Sequence, residues 1–95
     1  MVFEWDEAKR RLNIKKHGVD FKNVVKAFDS PMLVGLDIRE DYGEERWIGI
    51  GAIAHIVVII AFTERNNEVT RIISARKATK NEKEKYFKQI KNHLN

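Results

Sequence analysis

The chain has 95 residues, which predicts a single domain over residues 1–95 with one hydrophobic core. Its 43% apolar and 34% charged residues exclude a disordered chain, and its longest apolar run, residues 56–62, is far shorter than the ~20 residues of a membrane-spanning helix. The chain has no cysteine, which excludes disulfide bonds and thiolate metal sites. The start, MVFEWDEAKRR, lacks the features of a signal peptide, so we expect a cytoplasmic protein without membrane contact.

The net charge of +4 is distributed unevenly along the chain. Lys and Arg outnumber Asp and Glu by seven to four in residues 1–28, are outnumbered by eight to three in residues 29–68, and lead by eight to two in residues 69–95. Two basic ends around an acidic middle predict a bipolar surface, whose positive part could attract phosphate chains or an acidic protein. A solvated, lysine-rich last helix explains the same charges equally well.

Two helices are predicted before the only proline. Asp6 can cap a helix over residues 7–17, which would end at Gly18 and rest on the core through Trp5, Ala8 and Leu12. A second helix would begin after Asp20. Its apolar residues recur at helical spacing until the sequence Asp-Ser-Pro at residues 29–31 breaks the pattern: Phe21, Val24, Val25 and Phe28.

After Pro31 the apolar pattern becomes that of extended chain. MLVGLDI, RWIGIGAIA, HIVVIIAFTE and VTRIISARK predict four strands in an antiparallel meander. Thr79 and Glu82 form a capping box that starts a last helix. The predicted fold is therefore α+β, with two N-terminal helices, a four-stranded antiparallel sheet and a C-terminal helix. Residues 56–62 are apolar on both strand faces, so either helices cover both sides or a partner covers one.

The last hairpin is predicted to assemble an anion site. A two-residue turn at Asn66 and Asn67 would place Arg65 and Arg76 on one face, beside the start of the last helix. The same register puts Glu64 diagonal to Arg71, as an ion pair or a functional carboxylate. Tyr86, two turns into the helix, is either a core aromatic residue or a group that stacks on a base or transfers a proton.

The remaining motifs exclude several chemistries. No two histidines have metal-ligand spacing, and the chain has no GxxxxGK, GxGxxG or GxSxG motif, so we expect neither a metal nor a cofactor. Cations with a carboxylate and a phenol suit RNA cleavage in which the 2′-hydroxyl attacks the neighbouring phosphorus. Simple RNA or protein binding by the same surface remains an alternative. A DNA-binding regulator is disfavoured, because no helix-turn-helix spacing appears.

Four stretches together resemble the BrnT toxins of bacterial type II toxin–antitoxin systems, relatives of the RelE-type ribonucleases. They are FEWDEAKRRLNIKKHGVDF, AFDSP, GEERWIGIG and TERNNEVTRIISARKATKNEKEKY. The resemblance implies a RelE-like fold and a ribonuclease that inhibits translation and growth. It also implies an antitoxin of the ribbon-helix-helix, BrnA-like kind, whose dimer carries two toxins and alone contacts operator DNA.

The resemblance also implies site residues. Arg65 and Arg76 are predicted to bind phosphate and the transition state, with Glu64 as the base and Tyr86 as the acid. The resemblance implies a further RNA contact at Lys16 and His17, and the basic charge around the last hairpin and helix predicts RNA contacts at Arg71, Lys77 and Lys80.

Overall fold

The computed structural model describes residues 1–66 and 68–94, which form one sheet and the helices around it. The strands are β1 (Val2–Glu4), β2 (Leu33–Leu36), β3 (Trp47–Ile53), β4 (Ile56–Arg65) and β5 (Val69–Lys77). The α-helices are α1 (Glu7–His17), α2 (Phe21–Val24) and α3 (Lys80–Leu94), and a 3-10 helix over Val25–Asp29 follows α2 directly. Within these described ranges, no helix is long and apolar enough to cross a lipid bilayer.

The sheet has five strands in the order β1-β5-β4-β3-β2. The four strands β2 to β5 pair antiparallel, as predicted, but β1 adds a parallel pair with β5, in which Val2 lies opposite Val69 and Glu4 opposite Arg71. The prediction of a four-stranded, purely antiparallel sheet is therefore wrong at this edge. Three residues are too few to show a strand period, and β1 is defined by its partner rather than by its own sequence.

The first helix has the predicted bounds and caps. The Asp6 side chain accepts a hydrogen bond from the Lys9 amide at 3.1 Å, and Gly18 ends the helix with φ of 68°, which glycine adopts without strain. The second predicted helix is instead four α-helical residues followed by the 3-10 helix. This tighter end brings Ala27 against β3, where a Cβ on Gly51 would lie 3.3 Å from the Ala27 Cβ.

Both faces of β4 are covered by the chain itself. Val58, Ile60 and Phe62 point to the core face, which packs against α2 and the 3-10 helix. Val57 and Ile59 are buried on the opposite face, which we call the α3 face because α3 lies there. Helices thus cover the core face of β4, whereas on the α3 face Ile59 and Ala61 line a hollow.

The residue of α1 that enters the interior is polar. Asn13 is 6% exposed, whereas Leu12 of the predicted apolar stripe is 56% exposed. The Asn13 Nδ2 donates to the Ala75 and Val19 carbonyl oxygens, both at 2.9 Å, and the Ala75 amide donates to Oδ1 at 3.1 Å. Beyond β1, the edge of β5 has no strand partner, so the Asn13 amide stands in for one and fixes α1 against β5.

The register of the last hairpin differs from the prediction. Arg65 pairs with Val69, so the connection has three residues rather than two. A bulge then shifts the pairing between Ala61 and Phe62. As a result, Arg71 lies opposite Thr63 on the α3 face, away from Glu64, and the predicted proximity of Glu64 and Arg71 is wrong. Asn66 has the expected positive φ, 54°, while Asn67 lies outside the described residues.

The capping box of α3 is confirmed and has a further function in the fold. The Thr79 amide donates to Glu82 Oε1 at 2.8 Å, and the Glu82 amide donates to Thr79 Oγ1 at 3.2 Å. The same carboxylate accepts two hydrogen bonds from Arg76 of β5, at 2.8 and 2.9 Å. Glu82 therefore joins the start of α3 to the end of β5.

Replacing Asn13 with Ala should lower the free energy of unfolding by about 2–4 kcal/mol, because the Ala75 and Val19 backbone groups lose their buried partners. Asn23→Ala is the matched control, since Asn23 is exposed. The measurement is urea unfolding followed by circular dichroism. Equal stability of the two variants would contradict the structural role of Asn13.

Stability should also depend on the ionisation of Glu82. The Arg76 hydrogen bonds and the Thr79 amide lower the pKa of Glu82 from 4.5 to about 2. A carboxylate with a lowered folded-state pKa stabilises the fold above its unfolded pKa and loses that effect as pH falls, here between about pH 5 and pH 2. Glu82→Gln should therefore flatten the loss of stability across this window, and Glu84→Gln, at an exposed position of α3, should not. Thermal unfolding at stepped pH values measures both variants.

Candidate functional site

A hollow of about 370 Å³ lies on the α3 face of the sheet. Its floor consists of small and apolar side chains of the three central strands, Ile48, Ile59, Ala61 and Ser74. Its rim carries three side chains from separate parts of the chain: His17, Arg39 and Arg76. We call this the arginine hollow. Two guanidinium groups around an apolar floor form a site for an anionic group of a larger molecule.

Arg76 is held in place by the carboxylate of Glu82. Its Nη1 and Nη2 atoms bind the two Glu82 oxygens, and Nη1 also donates to the Lys77 carbonyl oxygen at 3.3 Å. These hydrogen bonds raise the pKa of Arg76 above its ordinary value. A guanidinium has five N–H groups, so two remain after these three bonds, and the side chain is 43% exposed. Arg76 is thus fixed in orientation and still open to a ligand.

Arg39 enters the hollow from the loop between β2 and β3. Its Nε and Nη2 donate to the two oxygens of Asp37, both at 2.8 Å, and the Tyr42 hydroxyl donates to the same carboxylate at 3.1 Å. The Arg39 hydrogen bonds hold the pKa of Asp37 well below its usual range. Arg39 is 72% exposed and lies close enough to Arg76 for the two charges to repel.

Arg39 is absent from the site residues predicted from the sequence, because the sequence does not show that this cation of the acidic stretch DIREDYGEE approaches the basic residues of β5. The sequence signal for Arg39 is that it is the single cation of this stretch and lies two residues after Asp37, which can bind it. Its approach to Arg76 depends on the pairing of β2 with β3 and of β3 with β4, which no local pattern gives.

His17 is the last residue of α1, and its position follows from the Asn13 anchor one turn earlier. The anchor holds the helix end against Ala75, which also lines the hollow. His17 is exposed at the rim, and its neighbour Lys16 is exposed but does not line the hollow. His17 brings an imidazole, the side chain most often used as a general base, to the lining of the hollow.

Arg65 and Arg71 form a second cationic group on the same face. We call these two residues, together with Glu4, the distal cluster. Glu4 Oε1 lies 3.7 Å from Arg65 Nε and 3.5 Å from Arg71 Nη1, yet this oxygen is buried and has no hydrogen-bond partner in the described chain. Arg65 is six residues along β4 from Ile59, the partner of Arg76, which corresponds to ~20 Å. The structure therefore puts Arg65 and Arg76 on one face but not in one hollow.

The other predicted site residues lie elsewhere. Glu64 is exposed and lines a separate hollow on the core face with Phe28 and Trp47. Tyr86 is 3% exposed, and its hydroxyl donates to the Pro31 carbonyl oxygen at 2.7 Å. Lys77 is exposed and lines a hollow beside Gly18, and Lys80 is exposed at the start of α3.

The arginine hollow can bind a phosphate diester and move a proton beside it. Its lining contains no carboxylate, since the acids that bind Arg39 and Arg76 stand behind the guanidinium groups. Over residues 1–66 and 68–92, no three His, Asp or Glu side chains are grouped so that they could hold a metal ion. What the hollow offers is fixed positive charge and one imidazole.

Comparisons with known proteins identify a matching family and a similar solved structure. Residues 5–82 match the family model described as the ribonuclease toxin BrnT of type II toxin–antitoxin systems. Among solved structures, the chain is similar to the 1.1 Å crystal structure of the Brucella abortus ribonuclease toxin BrnT, with 29% identity and a TM-score of 0.65. The similarity covers 84% of this chain and 100% of that one. A comparison with the curated proteins finds no match. Because the family model spans most of the chain, the protein belongs to the BrnT family of ribonuclease toxins.

Proposed function

We propose that this toxin cleaves RNA in the arginine hollow, by attack of the substrate's own 2′-hydroxyl and without a metal ion. The observation that carries the proposal is the approach of Arg39, from the loop between β2 and β3, and Arg76, from β5, to one hollow with His17 on its rim. Membership of a ribonuclease family supports RNA as the substrate. We further propose that cleavage lowers translation and arrests growth.

The proposed reaction uses His17 as the base. The 2′-hydroxyl gives its proton to the imidazole, the 2′-oxygen bonds to phosphorus, and the bond from phosphorus to the 5′-oxygen breaks. The leaving 5′-oxygen takes a proton from solvent at the open mouth of the hollow. Arg39 and Arg76 stabilise the charge that builds on the phosphoryl oxygens. The products are a 2′,3′-cyclic phosphate and a 5′-hydroxyl end.

This assignment departs from the roles that the sequence suggested for Glu64 and Tyr86. A carboxylate on the core face cannot reach a substrate held on the α3 face without a rearranged hairpin. The Tyr86 hydroxyl is already bound to the Pro31 carbonyl oxygen in the interior. We therefore propose that Tyr86 supports the packing of α3 and that Glu64 is not the base.

The distal cluster extends the site along the strand direction. Arg65, ~20 Å from Arg76, would meet a phosphate about three nucleotides from the scissile one, given ~6–7 Å between successive phosphates of an extended strand. Arg71, opposite Thr63 and therefore ~13 Å from Arg76, would meet one about two nucleotides away. Because the buried oxygen of Glu4 makes no hydrogen bond to either arginine, both guanidinium groups retain donors for phosphate. We propose that they bind the substrate without acting on it.

Membership of a type II toxin family implies an antitoxin partner. We propose that this antitoxin is a BrnA-like ribbon-helix-helix protein whose dimer carries two toxins, and that operator DNA is contacted only through it. The resemblance of the four sequence stretches named above supports this part of the proposal.

Alanine at Arg39 or Arg76 should slow RNA cleavage about a hundredfold, because each removes a donor to the developing charge. His17→Ala should slow it by ~10²–10⁴, because it removes the proposed base. Arg11→Ala is the control, since Arg11 is 78% exposed and belongs to a different hollow of α1.

The assay follows labelled RNA and a matched substrate with a single 2′-deoxy position, each with and without EDTA. Cyclic phosphate ends on the RNA, an intact 2′-deoxy linkage and indifference to EDTA are expected. Retarded but intact RNA would support the alternative of a non-catalytic RNA-binding module. Full activity of the Arg39 and Arg76 variants would exclude the arginine hollow as the site.

Arg71→Ala should raise KM for RNA by roughly fivefold to tenfold and leave kcat nearly unchanged, because it removes binding that is equal in ground and transition states. The slope of log affinity against log salt should fall by about 1. Arg76→Ala, measured beside it, should instead lower kcat. A loss of kcat in Arg71→Ala would place that residue in the reaction rather than in substrate binding.

A further inference from the structure

Strand β2 is an open edge of the sheet, and its sequence has none of the residues that usually prevent an edge strand from pairing with another strand. The edge consists of LVGL, with no proline and no charge among its four residues. The Asp37 amide donates to the Arg46 carbonyl oxygen, so by antiparallel alternation the amides of Gly35 and Leu33 also point toward β3. The amides of Val34 and Leu36 therefore point outward, where another strand could bind them.

The exposed side chains of this edge are large and apolar. Val34 is 51% exposed, Leu36 is 48% exposed, and Ile38, two residues further, is 82% exposed. The pairing of Val34 with Gly49 and of Leu36 with Trp47 places the first two on the core face of the sheet. An apolar row beside free backbone donors is the kind of surface that a partner covers.

Hollows lie beside the edge on both faces of the sheet. On the core face a hollow of about 390 Å³ is lined by Val34, Met32, Phe28 and Trp47 among others. On the α3 face a hollow of about 370 Å³ is lined by Leu33, Ile50 and Tyr86 among others. A strand added to β2 would send alternate side chains toward the two faces, and each set would meet a preformed hollow.

The charge around the edge indicates the occupant. The segment that follows β2, residues 37–46, contains five acids and two arginines, a net charge of −3. Asp37 and Glu44 pair with Arg39 and Arg46, which leaves Glu40, Asp41 and Glu45 as the source of the negative field. A second copy of this chain paired through β2 would bring no cation, since residues 27–38 contain no Lys or Arg. A basic partner segment fits better.

We propose that β2 is the docking edge for the antitoxin, which adds an extended segment with alternating apolar residues and a basic end as a sixth strand beside β2. This inference rests on the proposed function only in taking an antitoxin as the partner. It places the antitoxin contact at the sheet edge beyond β3, so that the apolar edge and the acids Glu40, Asp41 and Glu45 face protein while the arginines of the α3 face bind RNA.

The test uses the full chain and its cognate antitoxin, both purified, with affinity measured by calorimetry. Val34→Pro removes one outward amide without breaking a bond to β3, and should weaken binding by tenfold or more. Val34→Thr is the matched control, because it keeps the amide and the branched shape, and it should bind within about threefold of the original chain. Circular dichroism and RNA cleavage by the free variants verify the fold.

Amide hydrogen exchange provides a readout that needs no substitution. In the complex, the Val34 and Leu36 amides should exchange more slowly than in the free chain. As a second variant, Leu36→Lys at a half-exposed position should weaken binding, and more so at low salt, where a basic partner is repelled most strongly.

Unchanged exchange at both amides, together with full affinity of Val34→Pro, would overturn the proposal while leaving the ribonuclease function untouched. A free chain that is dimeric, and that Val34→Pro makes monomeric without loss of antitoxin affinity, would also overturn it by assigning the edge to a second copy. Loss of cleavage activity in the arginine variants bears only on the proposed reaction, because the antitoxin binding assay does not depend on it.

Discussion

The carboxamide of Asn13 is the interaction on which the arrangement of this molecule depends. β5 is flanked by β1 for only three residues, so the rest of its outer edge needs another partner. One side chain supplies it by donating to and accepting from Ala75. That contact fixes the position of the C-terminal end of α1 against β5, and therefore the position of His17 beside Arg76. A polar residue in the helix interior thus sets both the packing of the helix and the geometry of the arginine hollow.

Carboxylates organise the cationic surface without filling it. Glu82 and Asp37 each bind one guanidinium through two hydrogen bonds and approach it from outside the hollow. Such pairs at partly exposed positions contribute little to stability by themselves. Their value lies in orientation, because a long side chain held at two of its guanidinium nitrogens loses its freedom before a ligand arrives. Glu82 also caps α3, so helix geometry and the direction of Arg76 are coupled through one residue.

Much of the fold could be predicted from the sequence, because its signals are local. Asp6, Gly18, Thr79 and Glu82 are capping residues that act within one turn, and their helices begin or end as expected. Strand β1 could not be predicted, since three residues carry no period. The faces of β5 could not be predicted either, because they depend on one extra residue in the connection and on the bulge. The sequence therefore predicts the wrong face for Arg71 and no role for Arg39, although it correctly predicts a common face for Arg65 and Arg76.

The bulge in the last hairpin changes how spacing along β5 must be interpreted. Five positions separate Arg71 from Arg76, and in a regular strand an odd interval directs two side chains to opposite sides. Here the additional residue, Ile73, restores the same side, as the pairs Thr63 with Arg71 and Ile59 with Arg76 show. In a related chain without the residue at position 73, both guanidinium groups would stay on one side of the sheet. In a related chain that kept the bulge but lacked another residue between positions 71 and 76, one guanidinium group would point into the core.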